Sequence, residues 1–117
     1  MAAIVGDDAL RLAEDIEHLA PGFSDTLIEY AFGDVCARPG LDLKARELAT
    51  IAVLTALGTA IPQLRLHING ALNVGCSRTE IVEVIVQTAL YAGIPAALNG
   101  LTTAKDVFAA RPLDGCA

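Results

Sequence analysis

Apolar residues recur every three to four positions along almost the whole chain. Its β-branched residues are scattered within that pattern rather than alternating with polar ones, so the periodicity predicts helices and no sheet. Six helices follow. The first covers residues 7–19 and stops at Pro21-Gly22; the second covers residues 24–36 and stops before Pro39-Gly40. Asp42 is placed to cap a third helix, which runs through Arg46-Glu47-Leu48 to Leu57 with Gly58 as its stop. A fourth starts near Pro62, a good first-turn residue, carries His67 and ends at Gly75. Ser77 followed three residues later by Glu80 is a capping-box signature, and it opens a fifth helix that reaches Tyr91 before Gly93. The sixth runs from Pro95 to Ala110 and leaves residues 111–117 as a loose tail. Connections this short imply antiparallel neighbours, hence an all-α helical bundle.

At 117 residues the chain closes one hydrophobic core, so a single domain is predicted. Apolar residues make up 54% of it and the mean hydropathy is +0.52, more than a lone domain of this size needs for its interior. The surplus predicts buried subunit contacts, that is, an oligomer. The longest nearly apolar stretch, residues 48–57, is interrupted by Thr50 and Thr55 and falls short of the roughly 20 residues that span a bilayer. The N-terminus has neither the basic flank nor the apolar stretch of a signal peptide, so the expectation is a cytoplasmic protein with no membrane partner. Eight basic against fourteen acidic residues give a net charge of -6 with no basic cluster, which argues against a nucleic-acid partner. Cys36, Cys76 and Cys116 lie far apart, with no CxxC and only His18 and His67 to assist them, which is neither a zinc pattern nor a redox dithiol.

Few side chains are left to carry chemistry. His67 lies beside an apolar stripe of Leu64, Ile68 and Ala71, which places its ring at the border of the core. Two readings are open: a core histidine satisfied by a backbone carbonyl, or a group poised for proton transfer. Glu47 shares a helix face with Leu43 and Ile51, where burial without a partner disfavours its charged form and a hydrogen bond to a protonated His67 favours both charges. It also suits a plain role at a helix start, facing the helix dipole or Lys44. Gln87 and Tyr91 stand four apart on one face of an apolar helix, as core residues with satisfied tips or as pocket walls. Arg65, about 200° round the helix from His67, cannot share its face. No phosphate loop, GxSxG elbow or His-Glu metal spacing occurs. Gly70 reads as close helix packing. Cys76, next to Gly75 in a turn without a nearby cation, reads as unreactive.

The fragments Glu29-Tyr30-Ala31-Phe32-Gly33, Arg38-Pro39-Gly40-Leu41-Asp42, Arg46-Glu47-Leu48-Ala49-Thr50-Ile51-Ala52, Leu64-Arg65-Leu66-His67, Gly70-Ala71-Leu72-Asn73 and Tyr91-Ala92-Gly93-Ile94-Pro95-Ala96-Ala97 occur in that order. Together they resemble the carboxymuconolactone decarboxylase family over residues 23–108. The resemblance implies a six-helix AhpD-like bundle as one domain over residues 1–117, with packing helices in 1–40 and the family core in 41–110. It also implies a homotrimer or homohexamer, no metal and no cofactor. The implied activity is that of a carboxy-lyase acting on a small molecule, a carboxylated lactone such as 4-carboxymuconolactone of aromatic catabolism, or a related oxo-acid. His67 and Glu47 then become the catalytic candidates, and Gln87, Tyr91 and Asn69 the substrate-binding ones. The chain carries Glu47 where the decarboxylases have a small polar residue, Asn69 where they have arginine and Gln87 where they often have histidine. Two other readings are a non-catalytic oligomeric scaffold and a thiol-dependent peroxidase or disulfide reductase. The latter lacks the CxxC that its relatives carry upstream of the histidine.

Overall fold

The computed structural model describes residues 2–111, with side chains from residue 10 onward. Six helices follow in chain order: α1 (Ala2–Leu19), α2 (Phe23–Ile28), α3 (Leu43–Leu57), α4 (Ile61–Asn73), α5 (Arg78–Ala92) and α6 (Ile94–Ala110). A π-helical segment, Glu29–Val35, continues α2, and no strand occurs among the described residues. The fold is the all-α bundle that the periodicity predicts.

Local chemistry sets the helix ends. The Asp42 carboxylate accepts the Ala45 N–H at 2.8 Å and starts α3, and Gly58, at φ 73°, takes the left-handed conformation that ends it. At the start of α5 the box is complete: Glu80 N–H donates to Ser77 Oγ at 3.0 Å, and Ser77 N–H donates to Glu80 Oε1 at 2.8 Å. Pro62 and Pro95 occupy the first turns of α4 and α6, where their missing N–H costs nothing. Gly93, at φ 99° and ψ 158°, is the whole corner between α5 and α6. Only glycine adopts that backbone geometry without strain.

The core is built by α3 to α6. Ile51 of α3, Leu64 and Ile68 of α4, Ile81 and Ile85 of α5, and Ala104 and Val107 of α6 are all at most 2% exposed. Helix α3 packs on α4, α5 and α6, α1 lies along α4, and α2 rests on α1. Helix α6 approaches α3 and α5 closely at Gly100, where a Cβ would stand 2.8 Å from Thr55 Cγ2 and 3.0 Å from Ile85 Cγ2.

Three features depart from the sequence reading. Helix α1 begins at Ala2 rather than Asp7, because the Ala-Ala-Ile-Val start is itself compatible with a helix and a single glycine at position 6 does not break it. The second helix widens into the π form after Ile28, with Cys36 N–H donating to Ala31 O five residues back at 2.8 Å. Apolar spacing cannot separate that form from α. Arg111, assigned to a loose tail, instead clasps α4: it donates to Asn69 O at 3.4 Å, to Asn69 Oδ1 at 3.1 Å and to Asn73 Oδ1 at 3.1 Å. The rest of that tail, residues 112–117, lies outside the described residues.

Candidate functional site

Two neighbouring helices carry the pair that the sequence points to. Asp42 fixes the start of α3, so Glu47 falls one turn later on the face that carries Ile51 towards α4. On α4, Leu64, Ile68 and Ala71 are buried, and His67 stands at the edge of that stripe. The result is a contact of 2.9 Å between His67 Nδ1 and Glu47 Oε2, twenty residues apart in sequence. The Glu47 side chain is 3% exposed and the His67 side chain 32%. A carboxylate that deep needs a partner, and the imidazole supplies it.

The geometry constrains the protons. A carboxylate only accepts, so Nδ1 carries the hydrogen in the pair, which turns Nε2 outward. A neutral ring then presents a base at Nε2, and an imidazolium presents an acid, with Glu47 compensating its charge. Glu47 also keeps the ring from rotating. An outward nitrogen on a fixed, half-buried ring can transfer a proton to or from a small molecule without other help.

The remaining candidates lie elsewhere on the chain. Gln87 and Tyr91 are both exposed, Tyr91 at 91%, and they line a groove of about 470 Å³ between α3 and α5. Its α3 wall includes Ala49, Ala52 and Val53, on the side of that helix turned away from Glu47, and neither Glu47 nor His67 reaches it. One chain therefore does not bring Gln87 and Tyr91 to His67. Asn69 lies two positions from His67 and so faces another way. Its Nδ2 donates to Arg65 O at 3.3 Å while its Oδ1 receives Arg111. Arg65 makes a surface ion pair with Asp106 of α6 at 3.8 Å.

Among the described residues, neither Cys36 nor Cys76 takes part in this geometry. Cys76 is buried with its Sγ 3.7 Å from Lys44 O, and burial, with the negative charge of Glu80 adding to it, pushes its thiol up. Among the described residues no three His, Cys, Asp or Glu side chains stand together as metal ligands would. No helix there is long and apolar enough to cross a membrane. The sequence reading missed the Arg111 clasp, although Asn69 and Asn73, spaced i, i+4 on one face, form a ready acceptor pair. It also missed Arg46, whose Nη2 donates to Arg38 O at 2.9 Å and ties the connection before α3 to that helix.

The described residues thus form an all-α bundle with an acid–histidine pair across two core helices. Within it, residues 21–106 match the family model described as "Carboxymuconolactone decarboxylase family". The chain is 38% identical to the 4-carboxymuconolactone decarboxylase of Acinetobacter baylyi, over 84% of this chain and 72% of that protein. It is 39% identical to a 15.0 kDa protein of Paracoccus denitrificans, over 80% of this chain and 71% of that protein. It is 35% identical to the nitrosuccinic acid decarboxylase of Metarhizium robertsii, over 81% of this chain and 64% of that protein. The chain belongs to the carboxymuconolactone decarboxylase family.

Proposed function

We propose that the chain is a carboxy-lyase that removes carbon dioxide, without a cofactor, from a small carboxylated lactone such as 4-carboxymuconolactone or a related oxo-acid. The observation that carries this reading is the 2.9 Å contact between buried Glu47 and half-exposed His67. Two of the relatives are named for decarboxylation, of 4-carboxymuconolactone and of nitrosuccinic acid. In both acids a carboxyl group sits on a carbon next to, or conjugated with, an electron-accepting group. When the carbon–carboxyl bond breaks, its electron pair passes into that group, a lactone carbonyl in one case and a nitro group in the other. A donor at the developing oxyanion contributes about 3–4 kcal/mol.

The chemistry ends with protonation of carbon. His67, as imidazolium, donates its Nε2 proton to the carbanion equivalent, a step worth about 10² to 10⁴ in rate, and recovers a proton from solvent. Glu47 acts through it as a positioning residue, holding Nδ1 and balancing the ring's charge. Lying beyond α3, Gln87 and Tyr91 contribute to binding in this reading only from a neighbouring copy, and Asn69 only if Arg111 releases it. The reading includes a homotrimer or homohexamer, which the exposed Leu19, Phe23, Tyr30, Leu90, Tyr91 and Ile94 support.

The test is to mix purified protein with 4-carboxymuconolactone and follow carbon dioxide release. Turnover that falls a hundredfold or more in a folded His67→Ala variant is the expected result. Turnover on another lactone but not on this one changes the substrate and keeps the mechanism. A His67→Ala variant as active as the parent overturns the reading.

A further inference from the structure

We propose, on the decarboxylase reading given above, that Arg46 is a specificity-determining residue whose guanidinium holds a carboxylate of the substrate other than the one that leaves.

Arg46 is a cation that the fold itself does not account for. Among the described residues three cations are half-buried: Arg46, Arg78 and Arg111. Arg78 lies over the Phe108 ring, 5.0 Å from its centre, and Arg111 clasps Asn69 and Asn73. At the surface, Lys44 and Arg65 each face a carboxylate, Glu80 at 3.7 Å and Asp106 at 3.8 Å. Arg46 makes one hydrogen bond, from Nη2 to Arg38 O at 2.9 Å, and no ion pair. Its Nε is buried with no partner. A guanidinium has five N–H donors, and a lysine or a glutamine could make that single bond to Arg38. The stem is shielded from water while the charge has no counter-ion, which strengthens its attraction for an anion.

The charge stands beside the acid–histidine pair. Arg46 and Leu48 lie roughly 100° to either side of Glu47 on α3. Leu48 faces the α3/α5 groove, so Arg46 is on the other, outer side of Glu47. On α4, Leu64, Ile68 and Ala71 turn inward and His67 stands at the outer edge with its ring partly open to water. Glu47 is therefore flanked by His67, which it holds, and by Arg46, which precedes it in the chain. Two anchors keep the guanidinium in place: the Asp42 cap fixes the start of α3, and the Arg38 carbonyl holds Nη2. Nη1 and the second hydrogen of Nη2 are left for a carboxylate, which a guanidinium fork matches in shape.

The direction of charge flow decides which carboxylate this is. In decarboxylation the departing carboxylate gives up its negative charge to the electron-accepting group. A cation on it binds the ground state more tightly than the transition state and slows the reaction. A cation on a carboxylate that keeps its charge binds both states alike, which lowers KM and leaves kcat unchanged. The net charge of -6 repels a dianion at a distance, so a local cation is what retains it.

The experiment measures binding of succinate, a dicarboxylate, and propionate, a monocarboxylate, by NMR titration of the parent, Arg46→Gln and Arg46→Lys. His67 and His18 are the chain's two histidines, so His18 is the internal control. In the parent, succinate is expected to move the ring signals of His67 and not those of His18, and to bind at least about tenfold more tightly than propionate. Arg46→Gln should bind the two acids alike, with Arg46→Lys in between. A glutamine variant that keeps the preference, or succinate that leaves His67 unmoved, overturns the proposal. With 4-carboxymuconolactone as substrate, Arg46→Gln should raise KM about ten- to a hundredfold and keep kcat within about threefold. Unchanged KM with a reduced kcat puts Arg46 on the developing oxyanion and overturns the proposal while the decarboxylase reading stands. A parent without turnover that still binds succinate through Arg46 counts against the reaction and supports the carboxylate site. Should Arg46→Gln lose helicity, the parent decides, because a buried Nε–H exchanges slowly enough to be followed by NMR. Succinate that moves the Arg46 Nε–H signal supports the site, and a signal that stays in place overturns it.

Discussion

At the scale of single residues, the contact between Glu47 and His67 is asymmetric, because one partner is buried and the other reaches water. Removing the histidine leaves a buried acceptor without its hydrogen bond. His67→Ala is therefore expected to cost about 1–3 kcal/mol in urea unfolding. Glu47→Gln, which keeps the shape and frees a ring that water can reach, should cost less, and equal losses would mean that the carboxylate finds another partner. The thiols allow a second prediction. Burial and the charge of Glu80 both hold Cys76 in its protonated form, so iodoacetamide should modify Cys36 well before Cys76 in the folded protein, as read by peptide mass spectrometry. Faster labelling of Cys76 would mean that the turn after α4 opens readily. The reading of Glu47 and His67 as neighbours was available from the sequence because each sits on the apolar face of its own helix. The placement of Gln87 and Tyr91 was not, since a helix pattern tells that a face is apolar and not which neighbour or copy covers it.

At the scale of elements, the ends were legible and the crossings were not. Asp42, Ser77 with Glu80, Pro62, Pro95 and Gly58 act within a few residues of themselves, so their effect can be read without knowing the fold. The capping box carries a pH dependence of defined sign. Glu80 is held below its ordinary value of 4.5, first by the Ser77 N–H it accepts and then by Lys44 at 3.7 Å. A depressed carboxylate contributes stability above the unfolded value and loses it as pH falls through the lower folded value. Glu80→Gln should therefore lower the melting temperature at neutral pH and converge on the parent as pH falls below about 4.5, which flattens the acid side of the profile. Gly100 shows what spacing cannot give, because its role depends on where α6 meets α3 and α5. Gly100→Ala gains up to about 1 kcal/mol of helix propensity, but its Cβ meets Thr55 Cγ2 at 2.8 Å, and overpacking costs about 1–3 kcal/mol, so net destabilisation is expected. Thr55→Ala in the same chain removes two of the three close atoms and a buried hydroxyl that has no partner, so the double change should cost less than the sum.

At the scale of the whole molecule, the 54% apolar composition and the net charge of -6 act in opposite directions on association. In the proposed oligomer, apolar surface on α2 and along α3 and α5 favours contact between copies, while the net charge of -6 per chain opposes it at a distance. Ionic screening weakens the second effect over about 8–10 Å and leaves the first in place. Added salt should then strengthen the assembly, the reverse of what an interface held by ion pairs shows. In the proposed oligomer, association also couples to folding, because only the folded chain associates. The melting temperature is accordingly expected to rise with protein concentration and, at fixed concentration, with moderate salt, both readable by calorimetry. A melting temperature independent of concentration would assign all of the stability to the single bundle of α3 to α6, and α2 would then have to hold its helix on α1 alone.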